Sequence, residues 1–284
     1  MTSGSGLTVG PRPRALTAAG HLLYLAFFVW TLFPIVWLFL TSLKTRLAAF
    51  RLPPEWVFTP TLTNYAQILA MPELAHAFLN SVIVSVTSTL LVLWLAVMAG
   101  YAYSRFEFAA KRASAVGLLV TRMFPPVVIV PSLFALLHWA GLYDSRTVLS
   151  VLYASFTVSF SVWMMKAFFD DIPLHVEEAA LVDGWSRFQA FRKVVLPLAA
   201  PGIVATAIFT FVLAWNEFLF AFMFTSEQAK TAPVAFVGII LRETGVEWNL
   251  MAAGAGLLMV PTLALSWVIQ RYFVQGLGLG AVKG

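Results

Sequence analysis

The sequence predicts an all-α polytopic membrane protein with six transmembrane helices, and three observations carry that prediction. Of the 284 residues, 60% are hydrophobic and only 11% are charged, where a soluble domain carries about 25% charged residues. A soluble fold of about 300 residues buries only about 75% of the surface its chain exposes, so water could not be kept from this much apolar area. The apolar residues also gather into long runs nearly free of charge, the pattern of helices that cross a bilayer. These runs are too long and too uniform for the alternating segments, roughly ten residues long, of an outer-membrane barrel.

Residues 1–20, rich in Gly, Ser and Pro with Arg12 and Arg14, read as a flexible cytosolic tail, and residues 21–284 as the six-helix domain. A crossing takes about 20 apolar residues. The first run, 22–43, exceeds a signal-peptide core, lacks a small-residue cleavage pattern and is followed by further spans. The second is 78–104. The third, 113–139, holds one charge, Arg122, and three prolines, Pro125, Pro126 and Pro131. The fourth covers 147–168. The fifth, 201–224, contains Glu217, and the sixth, 250–272, carries Gly254 and Gly256, small residues that let helices approach closely. Trp139, Tyr143 and Trp248 suit interfacial anchoring in membrane lipid.

Lys and Arg set the orientation. With the N-terminus inside, the cytosolic segments hold eleven of the eighteen basic residues and the outer segments six, with Arg122 inside a span. The bias places both termini in the cytosol, although Lys44, Arg46 and Arg51 run against it locally.

Other classes find little support. A net charge of +5 without a basic stripe gives no nucleic-acid surface. The absence of cysteine excludes disulfides, Cys-ligated zinc and iron–sulfur centres. His21, His76, His138 and His175 are scattered and form no metal-ligand spacing. No cluster of nucleophile, base or metal ligands suggests a membrane enzyme.

The informative loop, 170–197, joins the fourth span to the fifth on the cytosolic side. Pro173 suits the first turn of a helix, with Asp170 and Asp171 at its positive end. Residues 176–183 favour helix, and Gly184 suits its C-terminal stop. Ser186 caps a second short helix, 187–195, that ends before Pro197. Glu177, Ala180 and Gly184 share one face of the first helix, with Ala179 at its border and the acids Glu178 and Asp183 flanking it. Two readings fit this surface: a docking face for a partner, or an amphipathic helix resting on lipid headgroups. Anionic lipid would repel so acidic a helix.

Glu178-Ala179-Ala180, three residues, Gly184, nine residues, Val194, one residue and Leu196-Pro197 match the EAA–x3–G–x9–I–x–L–P signature, with Val in place of Ile. The chain thereby resembles the permeases of binding-protein-dependent ABC importers. The resemblance extends to the MalG-like branch for carbohydrates through Ser42-Leu43-Lys44, Asn64-Tyr65, Arg105-Phe106, Arg122-Met123-Phe124-Pro125, Gly141-Leu142-Tyr143-Asp144, Trp215-Asn216-Glu217-Phe218 and the terminal Gly280-Ala281-Val282-Lys283-Gly284.

The resemblance implies a bacterial inner-membrane transport subunit rather than an enzyme. It implies that the loop is a coupling helix, with Glu177, Glu178, Ala179, Ala180, Asp183, Gly184, Leu196 and Pro197 engaging an ATPase. The implied partners are a second permease, two ATPase subunits and an extracytoplasmic sugar-binding protein. The chain has no GxxxxGK[ST] phosphate loop, so ATP and Mg belong to the ATPase partner and no cofactor is expected here. The outer loop, 225–249, has two readings: contact with the binding protein, or simple closure of a hairpin.

Arg122 and Glu217 would each cost roughly 2.5–3.5 kcal/mol at the centre of a lipid-facing helix, so each is expected to face protein or a watery cavity. At 1.5 Å per residue they stand roughly 14 and 24 Å from the cytosolic ends of their spans, so a direct pair needs a tilt or kink. Arg122, Trp215, Asn216 and Glu217 are the candidates for the substrate pathway, with helix packing as the alternative for each. A secondary transporter using the two charges as an ion relay is a rival, but such sequences usually show duplicated halves, and none is visible here.

Overall fold

The computed structural model describes residues 14–240 and 247–280, and among them the regular elements are all helical. Residues 1–13 of the expected tail, 241–246 of the outer loop and the terminal 281–284 lie outside the described residues. In chain order the helices are α1 (Arg14–Ser42), α2 (Arg46–Phe50), α3 (Thr63–Leu69), α4 (Pro72–Arg105), α5 (Lys111–Thr121), α6 (Pro126–Trp139), α7 (Arg146–Asp170), α8 (Leu174–Val182) and α9 (Arg187–Ala190). A π-helical turn, Phe191–Val195, leads into α10 (Leu196–Leu198), α11 (Ala200–Trp215), α12 (Leu219–Phe224), α13 (Ala232–Ile240) and α14 (Trp248–Gly280).

Among the described residues four helical stretches are long and apolar enough to cross a membrane: Gly20–Ser42, Pro72–Arg105, Arg146–Asp170 and Trp248–Val268. Two further candidates are bent, Lys111–Thr121 with Pro126–Trp139 at 89° and Arg187–Leu198 with Ala200–Trp215 at 69°, which makes six if each pair is one span. The first bend follows from the proline pair. A residue before proline is pushed out of the helical region, and Pro125, preceding Pro126, is extended at ψ 128°. The fifth run is also interrupted between Trp215 and Leu219, where Asn216 and Phe218 leave helical geometry.

The chain divides into two compact units. In the first, Met1–Ile68 with Glu247–Gly256, the apolar window of α1 is left unburied by the chain, as a surface meant for lipid or a partner would be. Beyond α1 the backbone is fastened by polar bonds. Asn64 Nδ2 donates to the carbonyls of Ser42 at 2.7 Å and Lys44 at 2.8 Å, and Asn249 Nδ2 donates to Asn64 Oδ1 at 2.7 Å. The hydroxyls of Ser42 and Tyr65 share a hydrogen bond of 2.7 Å. Lys44 is buried, with its ammonium 4.8 Å from the ring of Trp37 and 5.1 Å from that of Phe58. The Ser42-Leu43-Lys44 and Asn64-Tyr65 motifs are thus two halves of one tie. A Cβ added at Gly256 would lie 3.2 Å from the Tyr65 hydroxyl, in accord with the close packing expected there.

The second unit, Leu69–Val246 with Leu257–Gly284, is built on the parallel pair α4 and α7, where Thr87 meets Ser150, Gly100 meets Met165 and Ser104 meets Asp170, with α11 packed on both. The pair is close because Gly100 has no side chain: a Cβ there would lie 2.8 Å from Met165 Cβ and 3.0 Å from the Lys166 nitrogen. Gly202 does the same for α11, where a Cβ would strike the ring of Phe168 at 2.3 Å. One apolar cluster gathers Val84, Leu149, Tyr153, Phe220 and Phe224; a second gathers Val97, Tyr101, Met165, Phe169, Phe191 and Val195. The second cluster lies beneath the segment between α7 and α11.

Candidate functional site

The segment 171–199 forms an elbow whose turns are set locally. Pro173 stands at the N-cap of α8, φ −61° and ψ 135°, one residue before the expected first turn. α8 stops where Gly184 takes φ +87°, a left-handed conformation that a side chain resists. Ser186 then opens α9 with a reciprocal cap: its hydroxyl accepts from the Gln189 N–H, and Gln189 Oε1 accepts from the Ser186 N–H. The second helix does not end before Pro197. It widens at Phe191–Val195, where the Leu196 N–H donates to the Phe191 carbonyl, and continues through Pro197 to Leu198. Proline removes an N–H and crowds the carbonyl four residues earlier, and a wider π-turn relieves both.

The two faces of α8 have separate surroundings. Glu177 and Ala180 point inward and are buried, whereas Glu178, Ala179, Val182, Asp183 and Gly184 are exposed. Val182 is 87% exposed and Phe188 67%. Leu196 is half-buried, and Pro197 lies at the surface. Thus the face shared by Glu177 and Ala180 turns toward the protein, and the surface left for a partner runs from Glu178 and Ala179 to Gly184.

Glu177 is held by the end of α4. Arg105 Nε donates to its Oε2 at 3.1 Å, and the Tyr101 hydroxyl donates to its Oε1. The Arg105 and Glu177 side chains are only 5% and 6% exposed. Arg105 also donates from Nη2 to the Ile172 carbonyl at 2.8 Å and from Nη1 to the Ser104 hydroxyl at 3.1 Å. Ser104 in turn donates to Asp170 Oδ1 at 2.7 Å, whose other oxygen takes Lys166 Nζ at 2.5 Å. The Tyr101 ring packs against Phe106, Phe169 and Phe191. The Arg105-Phe106 motif therefore belongs to the elbow, a relation between residues about 70 positions apart that helical periodicity does not reveal.

The four pathway candidates are separately placed. Arg122 is exposed at the break between α5 and α6, with its guanidinium 5.4 Å from the ring of Phe160. Glu217 sits in the break between α11 and α12 and caps α12, accepting from the N–H of Phe220 at 2.9 Å and of Ala221 at 3.3 Å. The two charges form no pair with each other. Trp215 is buried, its indole N–H donating to the Leu258 carbonyl at 3.0 Å and its ring packing on Phe78 and Phe211. Asn216 is exposed, donating to the Val212 carbonyl at 2.8 Å and to Thr262 Oγ1 at 3.3 Å. Among the described residues no group of three or more His, Asp or Glu side chains could hold a metal ion.

At the opposite end of α7, Asp144 carries a role the sequence motif alone did not reveal. Its backbone is left-handed, φ 58°, and its carboxylate accepts from the N–H groups of Ser226, Glu227, Gln228 and Ala229 at 2.9–3.0 Å and from the Ser226 hydroxyl at 3.0 Å. Asn80 Nδ2 holds the same loop through the carbonyls of Gln228 and Lys230, both at 2.9 Å. Next to it a cleft of about 830 Å3 opens, lined in part by Glu73, His76, Phe222, Glu227 and Lys230. Partial burial opposes the charge on Asp144, but the backbone N–H groups of Gln228, Ala229, Glu227 and Ser226 outweigh it and hold the carboxyl well below the usual carboxylate range.

A group so depressed contributes stability that is fully present above the ordinary carboxylate pKa of about 3.9 and is lost as pH falls below it toward the folded value. Asp144→Asn keeps the tolerance for a left-handed backbone and removes the charge. The variant is expected to exchange the amides of 226–229 at least tenfold faster, on the order of 2 kcal/mol. Hydrogen exchange followed by mass spectrometry measures this, and the protection of the parent should fade below about pH 4 while that of the variant does not.

Long apolar helices, two of them bent pairs, define an integral membrane component. Residues 92–278 match the family described as binding-protein-dependent transport system inner membrane component, and the chain belongs to that family. It is 37% identical over 259 residues to the trehalose transport system permease protein SugB of Mycobacterium tuberculosis, covering 90% of this chain and 93% of that protein. It is 32% identical over 256 residues to the trehalose/maltose transport system permease protein MalG of Thermococcus litoralis, covering 89% and 92%. The fold resembles a chain of a bacterial ABC transporter that imports the acidic polysaccharide alginate, with TM-score 0.76, 21% identity and coverage of 96% of this chain and 100% of that one.

Proposed function

We propose that this chain is a permease subunit of an ATP-driven, binding-protein-dependent importer of disaccharides or oligosaccharides. The observation that carries the reading is the exposed surface of the elbow from Glu178 and Ala179 to Gly184, carried on a signature shared with permeases. Relatives named for trehalose and maltose transport support the sugar class. In this reading the elbow, with Arg187–Leu198 in it, faces the cytosol; the bent pair Lys111–Thr121 with Pro126–Trp139 counts as one span, the run that begins at α11 counts as another, and both termini lie inside. The exposed side of α8 docks on an ATPase subunit that holds ATP and Mg, and a second permease completes the path. The outer loop tied down by Asp144 meets the sugar-loaded binding protein.

Catalysis of ATP hydrolysis then belongs to the partner, and the subunit's work is to change shape. The purified chain alone is expected to show no ATPase activity above background. Reconstituted in liposomes with the second permease, the ATPase pair and the binding protein, it should take up radiolabelled trehalose or maltose only when ATP is present on the ATPase side. Turnover of ATP by the isolated chain, or equal uptake without ATPase subunits, would overturn the assignment.

A further inference from the structure

We propose that Arg105 and Tyr101 are positioning residues that lock α8 to the end of α4, so that movement imposed on the elbow is delivered to α4. The proposal rests on the docking reading above and assigns a route for the force. α8 has only nine residues, too few to hold a helix without tertiary support. It is joined to its neighbours through Pro173 on one side and the left-handed Gly184 on the other. What fixes its direction is Glu177. Tyr101 and Arg105 are four residues apart on one face of α4 and take one carboxylate oxygen each. Arg105 reaches past them to the Ile172 carbonyl, so a single guanidinium spans both the entry to α8 and its first turn.

Glu177 is consequently committed inside this subunit, and its neighbour Glu178 is the acid left facing outward. An ion pair this enclosed does not slide as surface pairs do: both oxygens are used, and the aromatic rings of Phe106, Phe169 and Phe191 close around Tyr101. A push on α8 therefore reaches α4 directly, and through the close crossing at Gly100 it reaches α7 as well.

The test uses the assembled transporter in proteoliposomes and reads sugar molecules imported per ATP hydrolysed. Tyr101→Phe keeps the ring packing and removes one bond; Glu177→Gln removes the charge. Each is expected to leave ATP turnover within about twofold of the parent and to lower sugar per ATP at least threefold. The double variant should do little more than the worse single one, because both act through one carboxylate. A role confined to stability would lower the yield of complex and leave that ratio unchanged. If Glu177→Gln fails to assemble, Tyr101→Phe alone decides. An unchanged ratio in Tyr101→Phe overturns the lock. Ala179→Trp separates the two ideas: it loads the exposed face without touching Arg105, so normal uptake there overturns docking, whereas lost uptake there with normal Tyr101→Phe overturns only the lock.

Discussion

Gly100→Leu is expected to abolish assembly of the protein, and Gly100→Ala to lower its thermal midpoint. Alanine in place of glycine inside a helix ordinarily stabilises by about 1 kcal/mol, so the sign at this position is decided by space. The nearest atoms to an added Cβ are Met165 Cβ at 2.8 Å, the Lys166 nitrogen at 3.0 Å and the Met165 carbonyl carbon at 3.1 Å. Two of the three are backbone and cannot rotate aside. Overpacking of this kind costs about 1–3 kcal/mol, and here it would also part α4 from α7 above Val97, Tyr101, Val162 and Phe169. Gly117, in α5, is the control, since nothing lies within 4 Å of a Cβ there. Gly117→Ala should be neutral or slightly stabilising. Thermal unfolding of the purified protein in detergent checks all three, and a parent-like Gly100→Leu would contradict the close crossing.

Tryptophan at two adjacent elbow positions is expected to fail in two different ways. Ala180 is buried on the inward face of α8, so Ala180→Trp should prevent folding of the elbow and cut the yield of intact complex. Ala179 is exposed, so Ala179→Trp should fold and insert normally. Its bulk stands where a groove wall would have to approach, and uptake should fall at least tenfold. Comparing membrane-inserted protein with ATP-dependent sugar uptake separates the two. Equal behaviour of the two variants would mean that the outward face is not the docking face.

The parts of this fold legible in the sequence are those decided within a few residues. The stop at Gly184 and the cap at Ser186 depend on neighbours alone, and both form where the residue types place them. Apolar length located the candidate spans because the bilayer sets it. Direction was harder. Periodicity shows that Glu177 and Ala180 share a face but not which way that face looks, because the answer lies with Tyr101 and Arg105 on another helix. The bends at Pro125-Pro126 and before α11 have prolines beside them in the sequence, yet the residue types do not give their angles, 89° and 69°. By apolar length alone Arg122 and Glu217 fall within continuous spans. Each in fact stands at a helix break, where backbone or ring partners can meet it. Trp215, a candidate for the substrate pathway with helix packing as the alternative, is buried with its N–H engaged.

The most direct test of elbow docking is a cross-link. The chain has no cysteine of its own, so Val182→Cys introduces a single thiol at the outermost point of α8. In membranes holding the assembled transporter, a short bifunctional thiol reagent should join this position to a cysteine placed in the groove of the ATPase subunit. The yield should change when ATP is supplied. If Val182→Cys transports sugar normally yet joins no position on the ATPase surface, with and without ATP, the elbow does not carry the coupling.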